Sequence, residues 1–375
     1  MKILSLFANI GVAEAYLSDI GADVVIANEL IERRADLYSK IYPETRMICG
    51  DITSHDIYNR VLEESKRLGV DTIIATPPCQ GISRAGKQYK DDVRNLLILP
   101  VIDIVRDLSP RYVFIENVPQ FVETYISVDD TDVLITDYID SELSGNYDIS
   151  VNVIDTKYYG VPQTRQRAII LLTRKDIKKK WELPAPDAFY VTLADAIGNL
   201  PSVDPFVKDV SEEELLELFP EYYKKKEEAI KVSPWHFPPE HIKRQVVTMI
   251  HTPTGKTAFD NKKYVPIKAD GTPVTGYKST YRRLRWNDPA STVTMDNRKI
   301  SSQNNVHPGR YLGLDGNGDV VYSDPRALTL FELMKIMSLP ESWPLPLDAN
   351  PAFVRSIIGE GIPPLFVKRV FEKIL

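Results

Sequence analysis

Cysteine is nearly absent from this chain: Cys49 and Cys79 are the two among 375 residues. So few, so far apart, cannot build a disulfide framework or a zinc cluster, and such a composition suits a reducing cytoplasm. No bound metal is expected. Long apolar runs are missing too, none approaching the ~20 residues of a membrane span. The opening Met1-Lys2-Ile3-Leu4-Ser5-Leu6-Phe7 lacks a following small-residue cleavage site and reads as a short buried strand rather than an export signal. With 43% hydrophobic and 26% charged residues, the expectation is a soluble cytoplasmic protein without membrane association. Positive charge is in deficit as well, at a net −6, which taken alone opposes a polyanionic partner.

The distribution of charge reverses that inference. Between Tyr222 and Ile300 there are 16 Lys and Arg against 7 Asp and Glu, a local +9 that leaves −15 for the rest. A lone run such as Lys224-Lys225-Lys226 is usually a solvated helix face. Here Arg282, Arg283, Arg285, Arg298 and Lys299 recur among Tyr277, Tyr281 and Trp286, a mixture that favours a polyanion-binding surface.

The length predicts two units. The first ~175 residues alternate apolar β-rich runs with helical stretches, the pattern of a doubly wound, mostly parallel α/β sheet. Strands are predicted at Lys2 to Leu6, Asp23 to Ala27, Arg46 to Cys49, Thr72 to Ala75, Tyr112 to Ile115 and Ala168 to Leu172, with helices at Ile57 to Leu68 and Leu96 to Leu108. Lys178-Lys179-Lys180 and the prolines 184, 186, 201 and 205 then mark a boundary. The expected division is 1–183, completed by a returning helical segment within 340–375, and a smaller, irregular β-rich unit over 184–339. Turn signals at Thr254-Gly255, Asp270-Gly271 and Asp315 to Gly318 support the second.

The residues that carry chemistry sit at predicted strand ends, where open α/β sheets bind ligands. Phe7-Ala8-Asn9-Ile10-Gly11 leaves the first strand and lets backbone amides approach an adenosyl cofactor closely; alone it is as consistent with an ordinary turn. Glu29, past the second strand, suits the two ribose hydroxyls, and Asp51 in Cys49-Gly50-Asp51-Ile52 suits an adenine amino group, though each acid could equally cap a helix. The fourth strand ends in Thr76-Pro77-Pro78-Cys79-Gln80-Gly81. Rigid prolines before a Cys and a glycine-bearing loop after it make a nucleophile more credible than a buried thiol. The cationic stretch that follows contains Ser83, Arg84, Lys87 and Gln88 and could close over a substrate. Glu116, directly after Tyr112-Val113-Phe114-Ile115, is liable to a raised pKa and would serve as a proton donor, with a structural salt bridge as the alternative. Arg165 and Arg167, alternating in Gln163-Thr164-Arg165-Gln166-Arg167, suggest an anion or carbonyl partner.

This order of motifs resembles the DNA cytosine C5-methyltransferase family: Phe-Ala-x-x-Gly, Glu29, Gly-Asp-Ile, Pro-Cys-Gln, Glu-Asn-Val and Gln-x-Arg-x-Arg. Arg326 to Pro340, with Glu332 and Lys335, and Ile358-Gly359-Glu360-Gly361-Ile362-Pro363-Pro364 extend it almost to the end. The chain departs from the pattern at Asn9 and Val12, where the family usually has Gly, and at Glu360, where it usually has Asn.

The resemblance implies a methyltransferase that takes S-adenosylmethionine, leaves S-adenosylhomocysteine and needs no metal. Phe7, Ala8, Asn9, Gly11, Glu29, Asp51, Ile52, Pro78 and Glu360 would contact the cofactor. Cys79, Glu116, Arg165 and Arg167 would form the catalytic set, with Arg167 at the cytosine O2 and Arg165 bracing the catalytic loop. Double-stranded DNA would be gripped by Ser83, Arg84, Lys87, Gln88, Arg282, Arg283, Arg285, Arg298 and Lys299, with the target base flipped out. A monomeric enzyme paired functionally with a restriction endonuclease is expected. The alternatives are a tRNA cytosine methyltransferase, a nicotinamide oxidoreductase, which would leave Pro78-Cys79-Gln80 unexplained, and a catalytically silent DNA-binding homologue, which an intact Cys79, Glu116 and Arg167 oppose.

Overall fold

The computed structural model describes residues 1–78, 93–237 and 239–375. Five short strands run parallel in its first third: β1 (Lys2–Leu6), β2 (Asp23–Glu29), β3 (Arg46–Cys49), β4 (Thr72–Ala75) and β5 (Tyr112–Asn117). Every residue of β4 and β5 is buried, as befits strands covered on both faces. Between them lie α1 (Glu32–Ile41), α2 (His55–Leu68) and α3 (Ile98–Leu108). Local chemistry sets the ends of α2: the Ser54 hydroxyl accepts from the Ile57 N–H, and Gly69 at φ 71° closes the last turn.

A hairpin of β6 (Tyr125–Val128) and β7 (Thr131–Leu134) leads through α4 (Ile135–Leu143) to β8 (Tyr147–Asp155) and β9 (Gln166–Arg174). β9 pairs antiparallel with both β5 and β8, giving a seven-stranded order β3-β2-β1-β4-β5-β9-β8. The six predicted strands are all present, and β8 is an addition whose alternation Ile149-Ser150-Val151-Asn152-Val153 is a period-two signal. The strand order reverses between β1 and β4, which places the ligand crevice outside their carboxyl ends.

Alternation along the strands divides the core. Leu4, Ile73 and Val113 face α2, α3 and α4, while Ile3, Ile74 and Phe114 face a layer closed by α11 (Pro364–Phe371), whose Phe366, Val370 and Phe371 are fully buried. The chain's last helix thus returns to the first sheet, and Trp181 Nε1 donates to the Val370 carbonyl at 2.8 Å.

The later residues hold α5 (Leu193–Ile197), α6 (Glu212–Leu218), α7 (Tyr222–Val232) and α8 (Lys243–Ile250) beside two small sheets. These sheets are β10 (Phe206–Val207) with β11 (Glu240–His241), and β12 (Tyr311–Leu314) with β13 (Val320–Tyr322). The helices exceed the irregular β-structure that the Pro, Tyr and Thr content suggests, because their signals are local. In α6 the Ser211 hydroxyl caps the Glu214 N–H, with Glu212, Glu213 and Glu214 in the first turn. Val207, Leu215, Phe219, Val246, Met249, Tyr281 and Val306 form a separate core there. A further cluster joins Ile10, Val12 and Leu37 of the first third to Leu284, Val293, α9 (Leu330–Ile336) and α10 (Pro351–Ile358). That cluster positions the late motifs against the first strand ends. Among the described residues no helix is long and apolar enough to cross a membrane.

Candidate active site

The loop after β1 is unusual in its backbone. Phe7, Asn9 and Gly11 all have positive φ, at 59°, 54° and 76°. Asn tolerates this left-handed region better than other side-chain-bearing residues, which explains how Asn9 can occupy a place where glycine is usual. At Gly11 no substitute fits, since a Cβ would stand 2.1 Å from the Tyr42 ring. Tyr42 donates to the Gly11 carbonyl at 2.6 Å and accepts from Trp343 Nε1 at 3.1 Å, tying the loop to the late part of the chain. Beneath it Glu14 is buried and bonded by Ser5 and Tyr38; burial pushes its carboxyl up to about 7 against the pull of those bonds.

Glu29, at the end of β2, accepts the Asn9 N–H and the Ile31 N–H, each at 2.9 Å, one on each carboxylate oxygen. Each oxygen retains a lone pair, so the carboxylate can still receive a ligand hydroxyl. Asn28 ties the β2 and β3 ends together by donating to the Ile48 and Gly50 carbonyls. Asp51 is exposed, and one of its oxygens accepts from the Thr53 N–H and hydroxyl in a local turn; Ile52 beside it is buried. Ala8 is buried, and Phe7 and Pro78 are half-buried.

Glu360 reaches this loop from the opposite end of the sequence. Its carboxylate accepts from Asn9 Nδ2 at 3.2 Å and pairs with Arg34 of α1 at 2.9 Å. Burial pushes its carboxyl above the ordinary range, with Arg34 working against that and the Glu29 charge adding to it. Asn9 Oδ1 is buried without a hydrogen-bond partner among the described residues. Two carboxylates, an open acceptor and a loop of positive-φ residues at the sheet's switch point fit a nucleoside that carries positive charge.

The end of β4 is held from both sides. Thr76 donates its hydroxyl to the Phe7 carbonyl at 3.2 Å, and Asn117 Nδ2 donates to the Pro77 carbonyl at 3.0 Å. The chain therefore enters the Pro77-Pro78 segment in a fixed place. Cys79, Ser83, Arg84, Lys87 and Gln88 lie outside the described residues.

Glu116 is the penultimate residue of β5, the neighbour of β4. In the antiparallel register Glu116 faces Ile169, so Arg167, two residues along β9, lies on the same side and within diagonal reach. The two pair at 2.6 Å, Nε to Oε1, with side chains only 8% and 11% exposed. Arg165, one residue before β9, serves other partners: its guanidinium donates to the carbonyls of Val293, Gly359 and Glu360 at 3.0, 2.9 and 3.1 Å. The carbonyl alternative for this arginine pair is thus the one seen at Arg165. Gln163 completes the clamp, accepting the Val293 N–H and donating to the Ile336 carbonyl. Gly359 is required here, because a Cβ would meet the Thr294 carbonyl at 2.5 Å.

The basic surface is smaller by one arginine than the sequence suggests. Arg283 is fully buried, donating to the carbonyls of His307, Asp324 and Met249, and cannot meet a phosphate. Sequence spacing gives Arg282 and Arg283 equal standing, but extended backbone sends neighbours to opposite sides. Arg285, Arg298 and Lys299 are exposed, and Arg282 is half-buried. On α7 the bland reading of the lysine run fits: Lys224 pairs with Glu221, and Lys225 reaches the buried Asp204.

Asn117, Gln163 and Arg34 were not singled out as site residues by sequence. Asn117 and Gln163 stand inside recognised motifs, so position pointed to them; Arg34 carries no motif, and its weak signal is a cation in the first turn of a helix, where the dipole disfavours it.

Comparison with known proteins agrees with this arrangement. The family model described as C-5 cytosine-specific DNA methylase matches residues 1–375. Type II methyltransferase M1.HgaI of Avibacterium volantium is 42% identical over 99% of this chain and 97% of its own. M1.HphI of Haemophilus parahaemolyticus is 26% identical over 100% and 87%. Among solved structures, one described as a DNA modification methyltransferase encoded within an E. coli prophage superposes with a TM-score of 0.68, at 19% identity over 100% of this chain and 98% of that one. Spodoptera frugiperda DNMT2 gives 0.59 at 17% identity over 99% and 98%. At such identities the structural likeness is one of fold.

Proposed function

The chain belongs to the C-5 cytosine-specific DNA methylase family, and on that premise we propose that it methylates a cytosine flipped out of one specific double-stranded DNA sequence. The buried Glu116 to Arg167 pair, on the strand next to the one leading into Cys79, carries the reading. S-adenosylmethionine, on which the family depends, supplies an electrophilic methyl group when bound. Phe7, Ala8, Asn9, Gly11, Glu29, Asp51, Ile52, Pro78 and Glu360 would hold it.

Cytosine C5 is too electron-poor to take a methyl group unaided, so nucleophilic addition to the ring comes first. The Cys79 thiolate adds to C6 while Glu116 delivers a proton to N3, which turns C5 into an enamine carbon. Arg167 holds the base at O2 and orients Glu116. After C5 is methylated, its proton leaves to a base, the Cys79 sulfur is expelled as thiolate, and N3 returns its proton to Glu116, which restores the neutral aromatic base. Arg165 keeps the segments at Val293 and Gly359 fixed around this centre. Glu116→Gln is expected to lower kcat by about 10²- to 10⁴-fold with cofactor affinity changed less than about twofold, as steady-state rates and calorimetry would show. An equal loss of both would make Glu116 a structural residue.

Residues 1–183 with 340–375 form the catalytic unit in this reading, and 184–339 the target-recognition unit. Arg282, Arg285, Arg298 and Lys299 position DNA through phosphates, while other side chains read base edges. Ser83, Arg84, Lys87 and Gln88 would grip the DNA at the target base. The relatives are named Type II methyltransferases, which supports a modification enzyme partnered with a restriction endonuclease; we take it to act as a monomer. Exchanging 184–321 for the matching segment of a relative with a different known target should move methylation to that target, as bisulfite mapping would read. A folded, active chimera that keeps the original target overturns the assignment.

A further inference from the structure

The three departures from the family pattern are not independent in space. Asn9 donates to Glu360, and Gly361 stands so close to Val12 that a Cβ there would lie 3.0 Å from the valine Cβ. The residues that replace glycines in the first loop therefore meet the motif that replaces an asparagine with Glu360. Arg34 joins the same contact, although a cation in the first turn of α1 opposes the helix dipole. Its ion pair with Glu360, both side chains about one-fifth exposed, offsets that cost.

The result is a half-buried carboxylate linked to Glu29 through Asn9, whose backbone N–H bonds Glu29 and whose side chain bonds Glu360. Among the described residues Arg34 pairs with Glu360 alone, so two carboxylates face one guanidinium and the site keeps an excess of negative charge, and Asn9 Oδ1 adds a further acceptor. Such a site discriminates by charge. The methyl donor carries a permanent sulfonium charge that its demethylated product lacks, and the two are otherwise nearly the same molecule. Resting on the cofactor reading above, we propose that Glu360, held in place by Arg34 and Asn9, is a specificity residue that favours the positively charged methyl donor over the neutral product. An uncharged asparagine cannot make that distinction by Coulomb attraction, whereas an anion in a partly dry site can. The consequence for turnover is weaker inhibition by accumulated product.

Isothermal titration of the full-length protein tests this, with S-adenosylmethionine, S-adenosylhomocysteine and sinefungin, in which an ammonium group replaces the sulfonium centre. E360Q and E360N are both made, the second because asparagine is the residue common in the family at this place and is compatible with the fold; thermal melting checks both. The expected result is a loss of about tenfold in affinity for S-adenosylmethionine and for sinefungin, with S-adenosylhomocysteine changed less than about twofold. The wild-type preference for the charged ligands should shrink with added salt. Equal losses for all three ligands, or no change for any, in folded E360Q and E360N would overturn the inference. Failure of the wild-type protein to bind any of the three would instead overturn the cofactor reading on which it rests.

Discussion

Replacing Cys79 by serine is expected to reduce methyl transfer by about three orders of magnitude or more while DNA binding persists. A serine hydroxyl is un-ionised near neutral pH, whereas a thiol is already partly thiolate and intrinsically more nucleophilic. Affinity for DNA resides in phosphate and base contacts elsewhere, so a gel-shift or anisotropy titration should separate the two effects. A companion measurement uses duplex DNA with 5-fluorocytosine at the target. Addition at C6 and methylation at C5 can proceed, but fluorine cannot leave as a cation, so the protein and DNA should remain joined through Cys79 after denaturation. Substantial turnover by C79S, or no adduct under conditions that support normal turnover, would rule out the covalent scheme and revive the reading of a homologue that binds DNA without this chemistry.

The largest expected loss of stability lies away from the reacting atoms, at Arg326. This side chain is fully buried, and its guanidinium donates to the Val203 and Ala327 carbonyls, to Asp324 and to both oxygens of Glu332 at 2.8 to 3.1 Å. Glu332 also closes a capping box with Thr329 at the start of α9. Arg326→Leu removes five donated bonds and leaves two buried carboxylates without their cation, for which a cost of about 3–5 kcal/mol is expected. Urea midpoints and thermal scans read it, and a loss below about 1 kcal/mol would show that the network relaxes around the change. Acid should probe the same network. Burial pushes the Glu332 carboxyl up, but the Arg326 and His307 charges win and hold it down at about 2. A carboxyl lower in the folded than in the unfolded state contributes stability that is present above about 4.5 and lost as pH falls toward 2. The wild type should therefore weaken through that window, and E332Q, already destabilised, should show a smaller change there.

Legibility differed between these two sites for a physical reason. Cys79, Glu116 and the turn at Gly11 are marked in the sequence because each follows a short apolar run, and a parallel strand delivers the next residue to the ligand crevice whatever the rest of the chain does. Arg326 and Glu332 also stand in a recognised motif, yet nothing in the motif says that the arginine is dry and fivefold bonded. That depends on the Val203 carbonyl, which comes from a distant segment and joins the neighbouring Asp324 around the guanidinium. Arg283 shows the same limit from the other side: it shares composition and spacing with Arg282 and Arg285, and only the packing of Met249, His307 and Asp324 around it takes it out of solvent.

Alternation of apolar and helical runs, a property of neighbours along the chain, was enough by itself to place six strands of the main sheet and to indicate its mostly parallel, doubly wound class, but not to set the strand order. Contacts between residues hundreds of positions apart were decided only in three dimensions. Arg34 and Asn9 meet Glu360, and Arg165 holds Val293 and Gly359, because β9 turns antiparallel beside β5 and α11 folds back on the first sheet. Local pattern encodes which face of an element is buried, whereas the partner it is buried against depends on the whole chain closing around one core.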